Sequence, residues 1–238
     1  MITEGTQRTL DWHRARLGNI TGSAVGDLMK SGRRKDETFG ETAKAYMYKL
    51  AAQRLLNPAI VADDELFGEW VKAKEITSKA IRWGQEQEDK AKALFYKARG
   101  IPKEMVVDVA SCRHDTIPHF AASPDAIFYE DREKRIFTAL EVKCPEDHTF
   151  MKYVCEVKDA DTLKAVKPEY YWQMMAEMSC TGAGSGVFLT YCPWMSIPYH
   201  AVMIMRNEMD IALLEERVMA ANAYIDKEIM QARKNNRR

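Results

Sequence analysis

Two short segments near the middle of the chain carry acidic and basic side chains in an arrangement suited to binding a divalent cation. The first segment ends in Asp125, and the second, residues 140–145, carries Glu141 and Lys143 two positions apart. Side chains two positions apart in a β-strand point to the same face, so Glu141 and Lys143 would lie side by side. Carboxylate oxygens are the ligands that hard divalent cations prefer. These residues therefore predict a small metal site.

The segments around these residues predict a β-hairpin. Residues 126–129 and 135–139 are rich in apolar, β-branched and aromatic side chains, and the charged residues 130–134 lie between them. Such a pattern is typical of two paired strands joined by a turn. In this hairpin, Asp125 and Glu141 would lie near each other on neighbouring strands.

A third carboxylate comes from the longest predicted helix, residues 75–99. On the helical wheel, Glu88 falls along the same side as the apolar Phe95. A buried carboxylate is costly unless it is paired or holds a metal. Two interpretations are therefore open: Glu88 is a metal ligand, or it forms a structural ion pair with Arg82 or another basic residue.

A second helix, predicted over residues 170–180, places Gln173 in a stripe that mixes polar and aromatic side chains. Most such stripes are half-buried packing surfaces, but an amide at this position can also position a water or a phosphate. The sequence leaves both interpretations open.

The N-terminal region contains signals for anion binding. Residues 11–18 predict a short helix, and residues 21–23 predict the start of a second one with open backbone N–H groups. A helix N-terminus suits a phosphate, and Arg16 would reach the same anion as a bidentate donor. An ordinary capped helix–turn–helix is the competing interpretation, and this segment alone favours it. A basic loop follows, with Lys30, Arg33, Arg34 and Lys35.

The remaining pattern predicts one α/β domain with helical N-terminal additions. The other elements that can be assigned are a helix over residues 41–56, strands over 104–110, 186–192 and 198–205, and a final helix from Asn207. Residues 63–70 and 149–167 show no pattern that can be assigned.

Composition narrows the class of protein. The 238 residues include 35 basic and 35 acidic side chains, and this balance is weak evidence against nucleic-acid binding, which usually requires a basic protein. The five cysteines include no C-x-x-C pair, so neither a zinc site nor an iron–sulfur cluster is indicated. No apolar run is long enough to span a bilayer, and the N-terminus lacks the apolar core of a signal peptide. We expect a cytoplasmic protein with reduced thiols.

The order of these motifs resembles that of the PD-(D/E)xK nuclease superfamily, and more closely the bacteriophage lambda exonuclease (YqaJ-type viral recombinase) family. The motifs that carry the resemblance are Trp12-His13-x-x-Arg16-Leu17-Gly18-x-Ile20-Thr21-x-Ser23, Trp83-Gly84-x-x-x-Glu88, Ser123-Pro124-Asp125, Leu140-Glu141-Val142-Lys143-Cys144-Pro145 and Tyr170-x-x-Gln173. One departure is Ala126, where the family often has glycine. No predicted ligand is lost by this change.

The resemblance implies a PD-(D/E)xK nuclease core, a mixed central β-sheet flanked by helices, in a single domain of residues 1–238. Residues 1–60 would form a helical end-binding subregion, 75–206 the catalytic core and 207–238 a C-terminal helix. The implied activity is that of an alkaline-type exonuclease, which digests the 5′ strand of linear duplex DNA and leaves a 3′ single strand for recombination.

The resemblance also implies roles for individual residues. The resemblance implies two Mg²⁺ ions, with Mn²⁺ as a possible substitute. Their implied ligands are Glu88, Asp125, Glu141 and the backbone carbonyl of Val142. Lys143 would orient or deprotonate the attacking water, and its pKa would be lowered beside the metals; Gln173 would assist near them. The residues expected to bind the 5′ phosphate and the DNA are Arg16, Thr21, Ser23, Arg33, Arg34 and Lys35.

The implied partners are linear double-stranded DNA with a 5′ phosphate, two further copies of the chain in a homotrimeric ring, and a single-strand annealing protein. No membrane is implied, and the expected setting is the cytoplasm of a bacterial host of a phage or prophage. Two alternatives remain: a site-specific PD-(D/E)xK endonuclease, and a non-catalytic DNA-binding or assembly protein with the same fold. The complete set of Asp125, Glu141 and Lys143 argues against the second alternative.

Overall fold

Helices surround two β-sheets in this structure, a computed structural model that describes residues 2–30, 32, 37–74, 78–131, 133 and 137–236. The α-helices of the described residues are α1 (Leu10–Arg16), α2 (Val25–Met29), α3 (Glu41–Arg54), α4 (Pro58–Ala62), α5 (Asp64–Lys74), α6 (Lys79–Arg99), α7 (Asp147–Glu156), α8 (Ala160–Val166), α9 (Pro168–Thr181) and α10 (Glu208–Asn235). The β-strands are β1 (Ile2–Glu4), β2 (Ile20–Thr21), β3 (Val106–Val107), β4 (Val109–Arg113), β5 (Phe120–Ala122), β6 (Ala126–Tyr129), β7 (Phe137–Lys143), β8 (Ser185–Tyr191) and β9 (Tyr199–Met205).

The strands form one four-stranded sheet, in the order β1-β4-β5-β2, and one five-stranded sheet, in the order β3-β6-β7-β8-β9. In the larger sheet, β6 and β7 pair as an antiparallel hairpin, with Ala126 opposite Leu140. β7 and β8 are parallel, with Lys143 opposite Thr190, and helices α7 to α9 form the connection that a parallel pair requires. The predicted mixed α/β fold is confirmed, and so is the predicted hairpin.

One face of the larger sheet packs against α6. Ser78 caps this helix by accepting a hydrogen bond from the Ile81 N–H at 3.1 Å, and Gly100, with φ of +64°, ends it in the left-handed conformation. Its Phe95 packs with Leu140 of β7 and Leu189 of β8, all essentially buried. Each such side chain contributes about 1.5–3 kcal/mol relative to an exposed one.

The other face of the larger sheet packs against α9, which is buried along most of its length. The helix begins at Pro168, a residue favoured in the first turn, and ends at Gly182 with φ of +80°. It approaches β8 closely at Gly186, where an added Cβ would lie 2.6 Å from the Met174 side chain. A larger residue at this position would require the flexible end of the Met174 side chain to move.

Several sequence predictions require correction. The single strand predicted over residues 104–110 is two strands in different sheets, because the chain passes from one sheet to the other at Asp108, whose carbonyl accepts a bond from Gly5. The helix predicted to start at residues 21–23 begins at Val25 instead, after a 3₁₀ turn over Gly22–Ala24.

The segments without an assignable pattern turn out to be helical: α5 covers most of residues 63–70, and α7 and α8 lie within residues 147–166. The final helix begins after Asn207 as predicted, since the Asn207 side chain accepts bonds from the Met209 and Asp210 N–H groups. Within the described ranges, no helix combines the length and the apolar character needed to cross a membrane.

Candidate active site

The end of β7 presents Glu141 and Lys143 on the face that packs against α9. Glu141 is 2 % exposed, and the Lys143 ammonium donates a hydrogen bond to Glu141 Oε1. The ammonium also lies 4.8 Å from the centre of the Tyr170 ring. The intervening Val142 points to the opposite face, into the cluster that packs on α6. The alternation expected from the sequence therefore holds, and it places a carboxylate and an ammonium in contact.

The acidic neighbours of Lys143 govern its pKa in this structure, and a lowered pKa beside bound metals stays a prediction. Burial by itself lowers the pKa of Lys143, but the negative charges of Glu141 and Asp125 together outweigh burial and raise it above the ordinary value. Glu141 and Asp125 therefore favour the protonated ammonium form of Lys143. An ammonium can orient a water or offset negative charge, and in this state it cannot accept a proton.

Asp125 lies immediately before β6 and faces the end of β7. Its backbone N–H donates to the Leu140 carbonyl at 2.9 Å, and its Oδ2 accepts from the Val142 N–H at 2.7 Å. Burial, followed by the negative charges of Glu141 and Glu88, raises the pKa of Asp125 well above its usual range. Three carboxylates thus lie close enough to repel one another, and a bound cation would relieve that repulsion.

Gln173 connects Glu141 to a fourth acidic side chain, Glu177. The Gln173 amide donates to Glu141 Oε1 at 2.6 Å and to Glu177 Oε1 at 3.0 Å, while its carbonyl oxygen lies 3.4 Å from the Lys143 ammonium. Glu177 is 1 % exposed, and burial and then the charge of Glu141 raise its pKa well above the usual range. The sequence analysis assigned no role to Glu177, although its four-residue spacing from Gln173 places the two side chains on one face of a helix.

Glu88 forms an ion pair, as one of the two sequence-based interpretations proposed. Its Oε2 accepts from Arg8 at 2.8 Å, and its Oε1 lies 3.3 Å from the ammonium of Lys92. The basic partners are therefore Arg8 and Lys92 rather than Arg82. Glu88 nevertheless lines one cleft of about 410 Å³ together with Asp125 and Glu141, and we call this space the carboxylate cleft. Its other lining residues include Arg8, Val142, Lys143 and Tyr170.

Arg8 is the residue of this cleft that sequence reasoning missed. It has a φ of +69°, a left-handed conformation that is uncommon outside glycine and costs about 1 kcal/mol. The preceding residue, Gln7, holds this conformation, since its amide donates to the carbonyls of Val109 at 3.0 Å and Pro124 at 3.1 Å. No sequence signal connects Arg8 to Glu88, eighty positions away.

The donor set of the carboxylate cleft suits a hard divalent cation. Carboxylates from Glu88, Asp125 and Glu141 line it, and Glu141 Oε2 is buried without a hydrogen-bond partner among the described residues. Within those same residues, no three His, Cys, Asp or Glu side chains converge closely enough to form a finished metal cage. The ion pair with Arg8 engages one of these three carboxylates, that of Glu88. The Mg²⁺ site stays a prediction.

A second cavity, of about 270 Å³, surrounds Arg16, and we call it the arginine pocket. Its cationic lining residues are Arg16, Lys49 and Lys74. The Arg16 guanidinium stacks 4.3 Å from the Trp12 ring and donates to Ser123 Oγ at 3.0 Å. Burial lowers the pKa of Arg16, and the described residues place no carboxylate within ion-pair distance of it. A buried cation of this kind favours an anionic ligand.

The other predicted phosphate-binding residues are placed differently. Thr21 lines the arginine pocket, but its N–H already donates to the Tyr46 hydroxyl at 3.2 Å. Ser23 is exposed in the 3₁₀ turn that follows. The predicted basic residues Arg33, Arg34 and Lys35 lie outside the described residues. The cations of this pocket therefore come from α1, α3 and α5, which sequence reasoning did not connect.

The family of this chain is shown by its match to the model of a known protein family. The model of the family described as the YqaJ-like viral recombinase domain matches residues 11–184. The chain therefore belongs to the YqaJ-like viral recombinase family, and the resemblance read from its motifs is confirmed. None of the curated proteins matches the chain.

Solved structures with the same fold are exonucleases by name. The alkaline exonuclease LHK-Exo from Laribacter hongkongensis is 27% identical, with a TM-score of 0.74 over 96% of this chain and 98% of that one. LHK-Exo in complex with dAMP is 28% identical, with a TM-score of 0.75 and the same coverage. A phage-related exonuclease from Haemophilus somnus 129PT is 16% identical, with a TM-score of 0.60 over 90% of this chain and 96% of that one, and it shares the fold.

Proposed function

We propose that the protein is a DNA exonuclease of phage-type recombination that digests the 5′ strand of linear duplex DNA and leaves a 3′ single strand. The observation that carries the proposal is the pair of neighbouring sites: a cleft with carboxylates and a lysine, and a separate cationic pocket around a buried arginine. The first has the groups for phosphodiester hydrolysis, and the second has the charge to hold a terminal phosphate. The similarity to an alkaline exonuclease, and that protein's complex with dAMP, support the proposal.

In the carboxylate cleft, Glu88, Asp125, Glu141 and the Val142 carbonyl would hold Mg²⁺, with Mn²⁺ as a substitute. The bound ions, as a pair, would activate the attacking water and neutralise the leaving oxygen. Lys143 offsets charge on the scissile phosphate and orients the water as its ammonium form. Gln173 fixes the Glu141 carboxylate through the 2.6 Å hydrogen bond from its amide. The ring of three copies and the single-strand annealing partner belong to this proposal as expected partners.

A comparison of DNA substrates tests the proposal and separates it from a site-specific endonuclease. Linear duplex labelled at one end, with or without a 5′ phosphate, is incubated with Mg²⁺ beside closed circular DNA. We expect rapid loss of 5′-phosphorylated linear DNA, slower loss of the unphosphorylated form, and intact circles. Equal cleavage of circles and linear ends contradicts exonuclease activity, and no cleavage of any substrate favours a non-catalytic DNA-binding protein.

We expect Arg16→Ala to remove most of the preference for 5′-phosphorylated ends. The guanidinium is the buried cation of the arginine pocket, and a charged hydrogen bond to phosphate is worth about 1.5–3 kcal/mol, or roughly 10- to 100-fold in kcat/KM. Initial rates on both forms of the duplex measure the preference. Arg14→Ala is the matched control, because Arg14 lies on the same helix but pairs with Asp11 and Asp64. An unchanged preference in Arg16→Ala would assign Arg16 a structural role.

We expect Arg8→Ala to strengthen divalent-cation binding by roughly 2- to 5-fold. Arg8 competes with a cation for the Glu88 carboxylate, and an ion pair that is partly exposed contributes up to about 1 kcal/mol. Calorimetric titration with Mn²⁺ measures the affinity. Lys90→Ala is the control, since Lys90 lies on α6 with Glu88 but bonds Gln87 instead. Weaker binding in Arg8→Ala would show that Arg8 supports the cation site instead of competing for it.

A further inference from the structure

A groove of about 510 Å³ adjoins the carboxylate cleft and has no role in the proposed cleavage chemistry. The groove and the cleft share Ala80, Cys144 and Pro145 as lining residues, so the two spaces lie next to each other. Trp83 and Trp194 form its aromatic wall, and we call it the tryptophan groove. A ligand that extends out of the carboxylate cleft past Pro145 would enter it.

The two tryptophans form a stacked pair. Their ring centres are 6.0 Å apart and their planes are inclined by 19°. Trp194 is 77 % exposed, the second highest value among the exposed large apolar side chains of the described residues. A large aromatic surface held open beside a reactive cleft indicates a binding surface rather than a core contact.

The backbone fixes Trp194 relative to the cleft. It lies in the loop after β8, where the Cys192 N–H donates to the Pro198 carbonyl at 2.8 Å and the Met195 N–H donates to the Cys192 carbonyl at 3.2 Å. Because β7 and β8 are parallel, Lys143 and Trp194 both lie at the carboxyl ends of neighbouring strands. The loop is therefore part of the edge of the sheet that carries the cleavage chemistry.

The charges along the tryptophan groove are mixed. Lys79 and Arg82, both exposed on the first turns of α6, supply positive charge for a phosphate backbone. Glu86, Glu146 and Asp147 also line the groove, and carboxylates accept hydrogen bonds from the amino groups of bases. A ligand with an anionic backbone and flat rings that carry N–H donors, as single-stranded DNA has, can contact both the basic and the acidic side chains.

We propose that Trp83 and Trp194 form a stacking platform for an unpaired base of single-stranded DNA next to the cleavage site. Base pairing and stacking hide the faces of the bases in a duplex, so only an unpaired nucleotide can place its ring on Trp194. Stacking of this kind accepts any base, because every base has a π-face. The platform rests on the proposed function, since an exonuclease that separates the strands produces unpaired nucleotides at this edge of the cleft.

The test is the affinity of the full chain for a fluorescein-labelled oligothymidine of about 12 nucleotides, measured by fluorescence anisotropy in EDTA so that no cleavage occurs. We expect Trp194→Ala to weaken binding by roughly 5- to 100-fold, the value of one base–aromatic stack, and Trp194→Phe to retain most of the affinity. Ile197→Ala is the matched control, because Ile197 is 65 % exposed in the same loop. Trp194 is the preferred site for substitution, because replacing so exposed a side chain is expected to leave the fold intact.

Unchanged oligothymidine binding in Trp194→Ala overturns the platform. A loss of mass in sedimentation with unchanged binding also overturns it and assigns the tryptophan groove to a contact between copies of the chain. Cleavage of linear duplex by the unaltered protein tests the proposed function separately. If that protein binds the oligonucleotide through Trp194 but cleaves no DNA, the platform stands and the exonuclease assignment fails.

Discussion

Lys143→Ala is expected to lower the rate of cleavage of linear duplex DNA by at least about 10³-fold while DNA binding survives. The Lys143 ammonium is held in contact with Glu141 at the end of β7, where it can offset charge that develops on the scissile phosphate. Its removal takes away this charge without changing the arginine pocket or the tryptophan groove. Single-turnover cleavage of end-labelled duplex and a gel-shift assay in EDTA measure the two effects.

Two further variants make the Lys143 result interpretable. Lys143→Met keeps a long, unbranched side chain at this position and removes the ammonium that lies over the Tyr170 ring, so it separates loss of charge from loss of side-chain volume. Lys152→Ala removes an exposed lysine that pairs with Glu156 on α7 and is expected to behave as the unaltered protein. If Lys143→Ala or Lys143→Met retains cleavage, Lys143 has no part in the mechanism.

Asp125→Asn is expected to abolish stabilisation of the protein by Mg²⁺ and, with it, cleavage. Asparagine keeps an oxygen that can accept from the Val142 N–H, but it removes one of the three carboxylates that a cation would bind. A ligand that binds only the folded state raises its stability in proportion to RT ln(1 + [L]/Kd). Thermal unfolding with and without Mg²⁺ measures this: the Tm of the unaltered protein rises with Mg²⁺, and that of Asp125→Asn does not.

The same variant has a second expected effect of opposite sign. In EDTA, Asp125→Asn is expected to raise Tm, because it removes the cost of burying a carboxylate and the repulsion from Glu141 and Glu88, which together raise the pKa of Asp125. Asp89→Asn is the matched control, since Asp89 is exposed on α6 and its substitution leaves the carboxylate cleft unchanged. A normal Mg²⁺-dependent rise in Tm for Asp125→Asn would remove Asp125 from the cation site.

The sequence predicts those parts of the carboxylate cleft that depend on the repeating geometry of a single strand, hairpin or helix. The period of two places Glu141 and Lys143 on one face of β7, and the hairpin places Asp125 opposite the end of that strand. The helical period places Glu88 along the packed side of α6. Each of these follows from residues that are close in the chain.

What the sequence does not predict depends on contacts between distant segments. Arg8 reaches Glu88 only because β1 pairs with β4 and Gln7 bonds the carbonyls beside Asp125. The cations Lys49 and Lys74 meet Arg16 through the packing of three helices. The division of residues 104–110 between two sheets was also missed, because Val106, Val107 and Val109 all favour a strand and nothing in the sequence marks where one strand ends and the next begins.

The Ser123-Pro124-Asp125 turn has a consequence for binding energetics. Ser123 accepts the hydrogen bond of Arg16 in one site, Asp125 belongs to the other, and Pro124 restricts the backbone between them. A ligand that shifts this turn from either side changes the free energy of binding on the other side. Thermodynamic linkage requires such a coupling to be reciprocal, so the factor by which an end phosphate changes cation affinity equals the factor by which the cation changes phosphate affinity.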